Sequence, residues 1–124
     1  MDMRKFSEIN RIRCESRTGF NHPIESWSLS DWITAAVGEF GEMANIAKKL
    51  NRERDGIKGN TKSEQELKHD FADELADAFI YLDLIAQRAG INLEDAVIAK
   101  FNKTSEKIGW FGVIRQGNMQ GDQP

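Results

Sequence analysis

From Leu67 onward the apolar residues fall at Leu67, Phe71, Leu75, Ala78, Leu82, Ile85 and Ala89, spaced in threes and fours. That repeat marks one face of an α-helix and cannot be accommodated by the two-residue alternation of a strand. A second stretch, from Asp31 to about Arg54, carries the same signal in Trp32, Ala36, Phe40, Met43, Ala47 and Leu50. At 1.5 Å per residue each helix is roughly 35 Å long. Between them, Asp55-Gly56-Ile57-Lys58-Gly59-Asn60 reads as a flexible loop, so the pair is expected to fold back as an antiparallel hairpin. No segment shows strand-like alternation and no internal repeat is present. The fold class expected is all-α: a hairpin-based bundle of about four helices. Its two long seams exceed what so short a chain can cover, so oligomerisation is expected to complete a four-helix-bundle core.

Two shorter helices flank the hairpin. The first is expected over about Lys5–Arg17, with Phe6, Ile9 and Ile12 as its apolar anchors and Ile24 beyond it. A connection from Thr18 to Leu29 carries Gly19, Phe20, His22, Pro23 and Trp27, after which Ser28 or Ser30 can cap the long second helix. Gly38 and Gly41 lie inside that helix, each costing up to about 1 kcal/mol against alanine, which points to close packing or a ligand beside them. Ser63 with Glu66 is a capping-box pattern for the third helix, and Gly90 suits its left-handed end. Asn92 caps a fourth helix whose first turn holds Glu94 and Asp95 and whose apolar face holds Ala96, Val97 and Phe101. At 124 residues the chain is one domain. Residues 1–109 are assigned to it, and 110–124, rich in Gly, Gln and Asn, to a mobile tail.

Composition narrows the function classes. Seventeen Lys and Arg against 20 Asp and Glu give a net charge of −3, without the basic excess of a nucleic-acid binder. No apolar run approaches the roughly 20 residues of a membrane span, and no apolar signal core follows Met1, so a cytoplasmic protein is expected. The single cysteine, Cys14, excludes an intramolecular disulfide and a cysteine-built zinc site. Arg11, Arg13 and Arg17 lie near Cys14, but nothing in the sequence supplies the histidine and oxyanion site a nucleophile needs, and the residue reads as incidental.

Lys and Arg are absent from residues 30–47 and 70–87. Within those gaps stand Glu39 and Glu42, and Glu74 and Asp77, each pair at i,i+3 on one helical face. Surface acids ordinarily find a cation three or four residues away. Here Glu39 finds Ala35, Ala36 and Met43, while Glu74 finds Asp70, Phe71 and Ala78. In an antiparallel hairpin the two pairs can meet at mid-length, and several carboxylates around one point cannot all stay ionised without a cation. Oxygen-only ligands select a hard ion, Mg²⁺ with Mn²⁺ as a substitute, and Mg²⁺ normally retains waters and contacts phosphate oxygens. Metal-assisted phosphoryl or nucleotidyl chemistry is the expectation. A di-iron bundle would need two Glu-x-x-His motifs; Glu66-Leu67-Lys68-His69 supplies one, and the other histidine, His22, lies in the connection.

Glu39-Phe40-Gly41-Glu42 followed by Glu74-Leu75-Ala76-Asp77 resembles the E-x-x-E and E-x-x-D signature of the MazG-like all-α nucleoside triphosphate pyrophosphohydrolases. Three longer stretches are similar to that family as well: 37–43, 73–82 and Lys100-Phe101-Asn102-Lys103. Together they span roughly residues 30–105 in the right order. Gly38 stands where many members carry a further Glu.

The resemblance implies hydrolysis of (deoxy)nucleoside triphosphates to the monophosphate and pyrophosphate, in a nucleotide-pool house-cleaning role. It implies Mg²⁺ held by Glu39, Glu42, Glu74 and Asp77, with Glu39 or Glu42 activating the attacking water. Lys49, Lys100, Asn102 and Lys103 become candidates for phosphate or sugar contacts, although lysines beside an acidic helix also serve solubility. Tyr81 corresponds to a position near the sugar, and Phe20, Trp27 and His22 to the base-stacking wall. Trp32, in register with Ala36, reads as core, and Trp110 as a C-terminal packing residue. The expected assembly is a homodimer or homotetramer. The contrasting expectation is a non-catalytic helical module that keeps the fold for nucleotide binding or interaction.

Overall fold

Each helix begins where a short polar side chain can satisfy its free amides. The computed structural model describes residues 1–115. Asp2 opens α1 (Met3–Glu15), its Oδ1 accepting from the amides of Arg4 at 2.9 Å and Lys5 at 3.1 Å. Of the two serines foreseen, Ser28 opens α2 (Leu29–Asp55) through a reciprocal capping box. The Asp31 amide donates to Ser28 Oγ at 3.2 Å and the Ser28 amide to Asp31 Oδ2 at 3.0 Å. Gly56, at φ 68°, closes α2 in the left-handed conformation. Ser63 and Asn92 cap α3 (Glu64–Arg88) and α4 (Leu93–Lys107), with Gly90 at φ 70° turning the chain between them. Such caps contribute roughly 1 kcal/mol each. The described residues hold four α-helices and no strand, so the architecture is all-α. None of these helices is long and apolar enough to cross a membrane.

The dominant packing is α2 against α3. The connection between them is fixed by Asn60, whose Nδ2 donates to the Lys49 carbonyl at 2.8 Å and to Glu53 Oε1 at 2.9 Å. α1 lies against α3, and a short 3-10 turn (Ile24–Ser26) touches both. The apolar core forms where these pieces meet, from Cys14, Ile24, Trp32 and Leu84, with Trp27, Tyr81 and Ile85 against it. Trp32 is 2 % exposed and donates its indole N–H to the Ile24 carbonyl at 2.8 Å, which meets the need of a buried polar tip.

Two expectations about the core are corrected. Ile9 and Ile12, expected to anchor α1, are 55 % and 65 % exposed, and the buried residues of that helix are Asn10 and Cys14. α1 is rotated because its inward face meets a buried carboxylate, Asp83, that Asn10 can satisfy. Phe40, Leu75 and Leu82, expected in the seam, are half-exposed. A stripe spaced in threes and fours is broader than the arc one partner helix covers. Leu67 and Ala78 therefore turn inward while Leu75, Phe79 and Leu82 take the neighbouring flank.

Much apolar surface is left open as a result. Leu29, Ile33, Val37 and Phe40 form a half-exposed stripe on α2. The accessible surface of the chain is 9145 Å², whereas a folded monomer of 14.1 kDa is expected to expose about 6,700 Å².

After α4 the chain runs back along it. Ile114 donates its amide to Asn102 Oδ1 at 2.8 Å, and Asn102 Nδ2 donates to the Ile114 carbonyl at 2.8 Å. Trp110 sits edge-on to Phe101, with ring centroids 6.0 Å apart. Of the segment expected to be a mobile tail, 110–115 is held in this way and 116–124 lies outside the described residues.

Candidate metal centre

The hairpin brings three of the four acids, Glu39, Glu74 and Asp77, to one place. One carboxylate oxygen each from Glu39, Glu74 and Asp77 lies within 4.8 Å of the other two. Glu42, one turn after Glu39, is exposed and stands outside that trio, near enough for its charge to act on Glu74. None of the four forms an ion pair with Lys or Arg among the described residues. Glu39 Oε2 and Glu74 Oε2 are closed off from solvent and have no hydrogen-bond partner, although both residues are only half-buried.

The electrostatics follow from that crowding. Burial, then the hydrogen bond and charge of Glu42, then those of Glu39, push the Glu74 carboxyl from 4.5 up to about 7. Glu39 is also raised, chiefly by burial and next by the Glu42 charge. The Tyr81 phenol is pushed up by its burial and by the charges of Glu39 and Asp77. A divalent cation would remove the repulsion and occupy the two orphaned oxygens at once, so the donor set fits a hard ion.

Aromatic residues continue from Tyr81. Its ring lies 6.2 Å from Trp32, Trp32 lies 4.7 Å from Trp27, and His22 touches both indoles, at 4.9 Å and 4.4 Å, so that the three rings form a triangle. Thus His22 and Trp27 form one wall that reaches the carboxylates through Trp32 and Tyr81. Trp32, read as core, is also part of that wall.

The remaining candidates stand apart from this wall. Phe20 is exposed, with the Arg13 guanidinium 5.5 Å above its ring. Lys49 is half-buried near Asp70, whose carboxyl is held low by Lys62 first and by Lys49 in smaller part. Lys100 and Lys103 are exposed on α4, which packs on α3, and Asn102 commits its amide to Ile114. A Cβ at Gly38 or Gly41 would meet nothing within 4 Å, so no packing inside the chain requires either glycine, and both leave α2 bare beside the acids. Cys14 is buried, its thiol donating to the His22 carbonyl at 3.1 Å, and burial raises its pKa despite the nearby arginines.

Two groups were not foreseen. His69, Asp70 and Asp73 also converge, but Lys62 occupies Asp70 at 2.6 Å and His69 lies 3.6 Å from Asp73. Asp83, with Ser7, Asn10 and Gln87, forms a buried polar network between α1 and α3. A carboxylate inside an otherwise apolar helical run was its only sequence signal. The chain matches no family model, no curated protein and no solved structure.

Proposed function

We propose that this protein is a Mg²⁺-dependent nucleoside triphosphate pyrophosphohydrolase of the MazG-like type. One observation carries the reading: Glu39 and Glu74 each hold an oxygen that is shut off from solvent and unbonded, and they converge with Asp77 where no Lys or Arg among the described residues pairs with them. The motif resemblance supplies the substrate class.

When bound, Mg²⁺ would neutralise triphosphate oxygens and lower the pKa of a coordinated water. Glu39, Glu74 and Asp77 would hold the cation from two helices, with Glu42 at their edge. Glu39 or Glu42 would orient the attacking water and accept its proton, the work of a general base placed beside the cation. The attack is placed at the α-phosphorus, so that pyrophosphate leaves. Tyr81 lines the route from the acids to the wall of His22 and Trp27, against which the base stacks.

The same reading includes self-association. The open apolar residues of α2 and α3, Leu29, Ile33, Val37 and Phe40 on one and Leu75, Phe79 and Leu82 on the other, offer the surface for it. A homodimer or homotetramer covers them, in a cytoplasmic protein that clears unwanted nucleotides.

Product analysis tests the activity. The protein is incubated with Mg²⁺ and each canonical and several modified (d)NTPs, and the mixture is resolved by anion exchange. Monophosphate with pyrophosphate, lost in Asp77→Ala, is the expected result. Diphosphate with orthophosphate would place the attack at a different phosphorus and overturn the assignment. Absence of turnover across the panel, with nucleotide binding retained, would favour the non-catalytic module.

A further inference from the structure

Asp83 is the one fully buried charged side chain among the described residues, 1 % exposed. It lies about two turns beyond Asp77, on the face of α3 that meets α1. Its Oδ2 accepts from Asn10 Nδ2 and from Gln87 Nε2, both at 2.9 Å, and its Oδ1 accepts from the Ser7 hydroxyl. The same amides also hold backbone: Asn10 Nδ2 donates to the Ile80 carbonyl at 3.2 Å and Gln87 Nε2 to the Ser7 carbonyl at 2.9 Å. No Lys or Arg pairs with Asp83 among the described residues.

A buried carboxylate without a counter-ion is tolerated only where donors satisfy it in fixed geometry, and this makes such a network specific to one register. Apart from this network, α1 meets α3 through Cys14, which joins Leu84 in the core, and through one ring contact. Its isoleucines face away, and its aromatic contact is the single pair of Phe6 with Phe79 at 5.7 Å. A slip of one residue would swing Ser7 and Asn10 about 100° around the helix and leave Asp83 without its donors.

The register of α1 reaches the aromatic wall through a continuous set of bonds. The Cys14 carbonyl accepts from the His22 amide at 2.8 Å, and the Cys14 thiol donates to the His22 carbonyl. Glu15 Oε2 accepts from the Ile24 amide at 3.0 Å, and the Ile24 carbonyl accepts the Trp32 indole. From the α3 side, Arg88 Nε donates to the Trp27 carbonyl at 2.8 Å. Glu39, Glu42, Glu74 and Asp77, by contrast, stand wholly on the α2–α3 hairpin.

We infer that Asp83 is a positioning residue: by fixing α1 on α3 it sets the wall of His22 and Trp27 beside the carboxylates, and so governs nucleotide recognition while cation binding is left to the hairpin. The inference rests on the nucleotide reading above. Asp83→Asn keeps the shape but turns an amide toward donors, and Ser7→Ala removes one donor only. In the full-length protein, Mn²⁺ affinity is measured by electron paramagnetic resonance, and KM and kcat are measured over the nucleotide panel. Both variants are expected to bind Mn²⁺ as the wild type does, with KM raised about tenfold in Asp83→Asn, less in Ser7→Ala, and kcat changed less than KM. Wild-type KM in both variants, or Mn²⁺ binding lost together with nucleotide in a helical Ser7→Ala protein, would overturn it.

Should the wild-type protein turn over no nucleotide, the functional reading fails and amide hydrogen exchange decides the positioning role separately. Loss of protection confined to α1 and residues 18–28 in the variants supports it, and equal loss along α2 and α3 overturns it. If Asp83→Asn does not fold, Ser7→Ala alone carries both readouts.

Discussion

Glu39 on α2 and Glu74 on α3 face each other across the hairpin, each with one oxygen sealed from solvent and bonded to nothing. Two such groups side by side repel while ionised, and their environment raises both pKa values. The chain therefore carries a local destabilisation that a cation would relieve.

Stability of the metal-free protein should depend on pH in a defined direction. Glu74 titrates near 4.5 when unfolded and at about 7 when folded, so between those values the folded state holds more protons. The linkage slope is then negative, and stability falls as pH rises from about 4.5 to 7. Thermal melts in chelator at pH 5, 6 and 7 should show Tm declining for this group, and Glu74→Gln should flatten the decline.

Metal uptake should release a proton. At pH 6.5 Glu74 is largely protonated and must ionise to bind, so affinity should strengthen as pH rises through 7. Calorimetric titration in buffers of different ionisation enthalpy would show a buffer-dependent heat at pH 6.5 that shrinks at pH 8.

Removing one acid should separate stability from function. Glu74→Gln is expected to raise the Tm of the metal-free protein and to abolish the further rise produced by Mg²⁺ with nucleotide, since a ligand stabilises only the state that binds it. A lowered metal-free Tm would mean that the carboxylate contributes favourable contacts of its own.

Much of this was legible beforehand, and the reasons differ by residue. Ser28, Ser63, Asn92 and Gly90 act locally, so their roles could be read without knowing the fold. The meeting of Glu39 with Glu74 needed only a hairpin and a periodicity. Asn10 and Asp83 were not legible, because a buried polar pair breaks the apolar pattern on both helices at once and each looks like a surface residue alone. Phe40 and Leu75 carried the right spacing but lie on the flank of the stripe, and periodicity gives its centre less sharply than its existence.

The apolar flank gives a prediction independent of the metal. Val37 is 61 % exposed on the open stripe of α2, so Val37→Glu should cost the isolated chain little. Light scattering should show the wild type as a dimer or tetramer and Val37→Glu shifted toward the monomer. An unchanged mass for the variant would place any interface elsewhere.

Trp32 anchors the wall and the core together. Trp32→Ala should destabilise by about 3–5 kcal/mol, as large-to-small core changes do. Chemical denaturation would detect it as a lower midpoint with a similar slope. Trp27→Ala, at a half-buried position, should cost less stability and more nucleotide affinity.

The most direct measurement is a Mn²⁺ titration at pH 7.5, followed by the loss of the free-ion resonance, on the wild type, Glu39→Gln and Glu74→Gln. Saturable binding by the wild type, weakened in both variants while their helicity is kept, is the predicted result. Absence of binding by the wild type, or equal binding by all three proteins, would contradict the assignment of these carboxylates as a cation site.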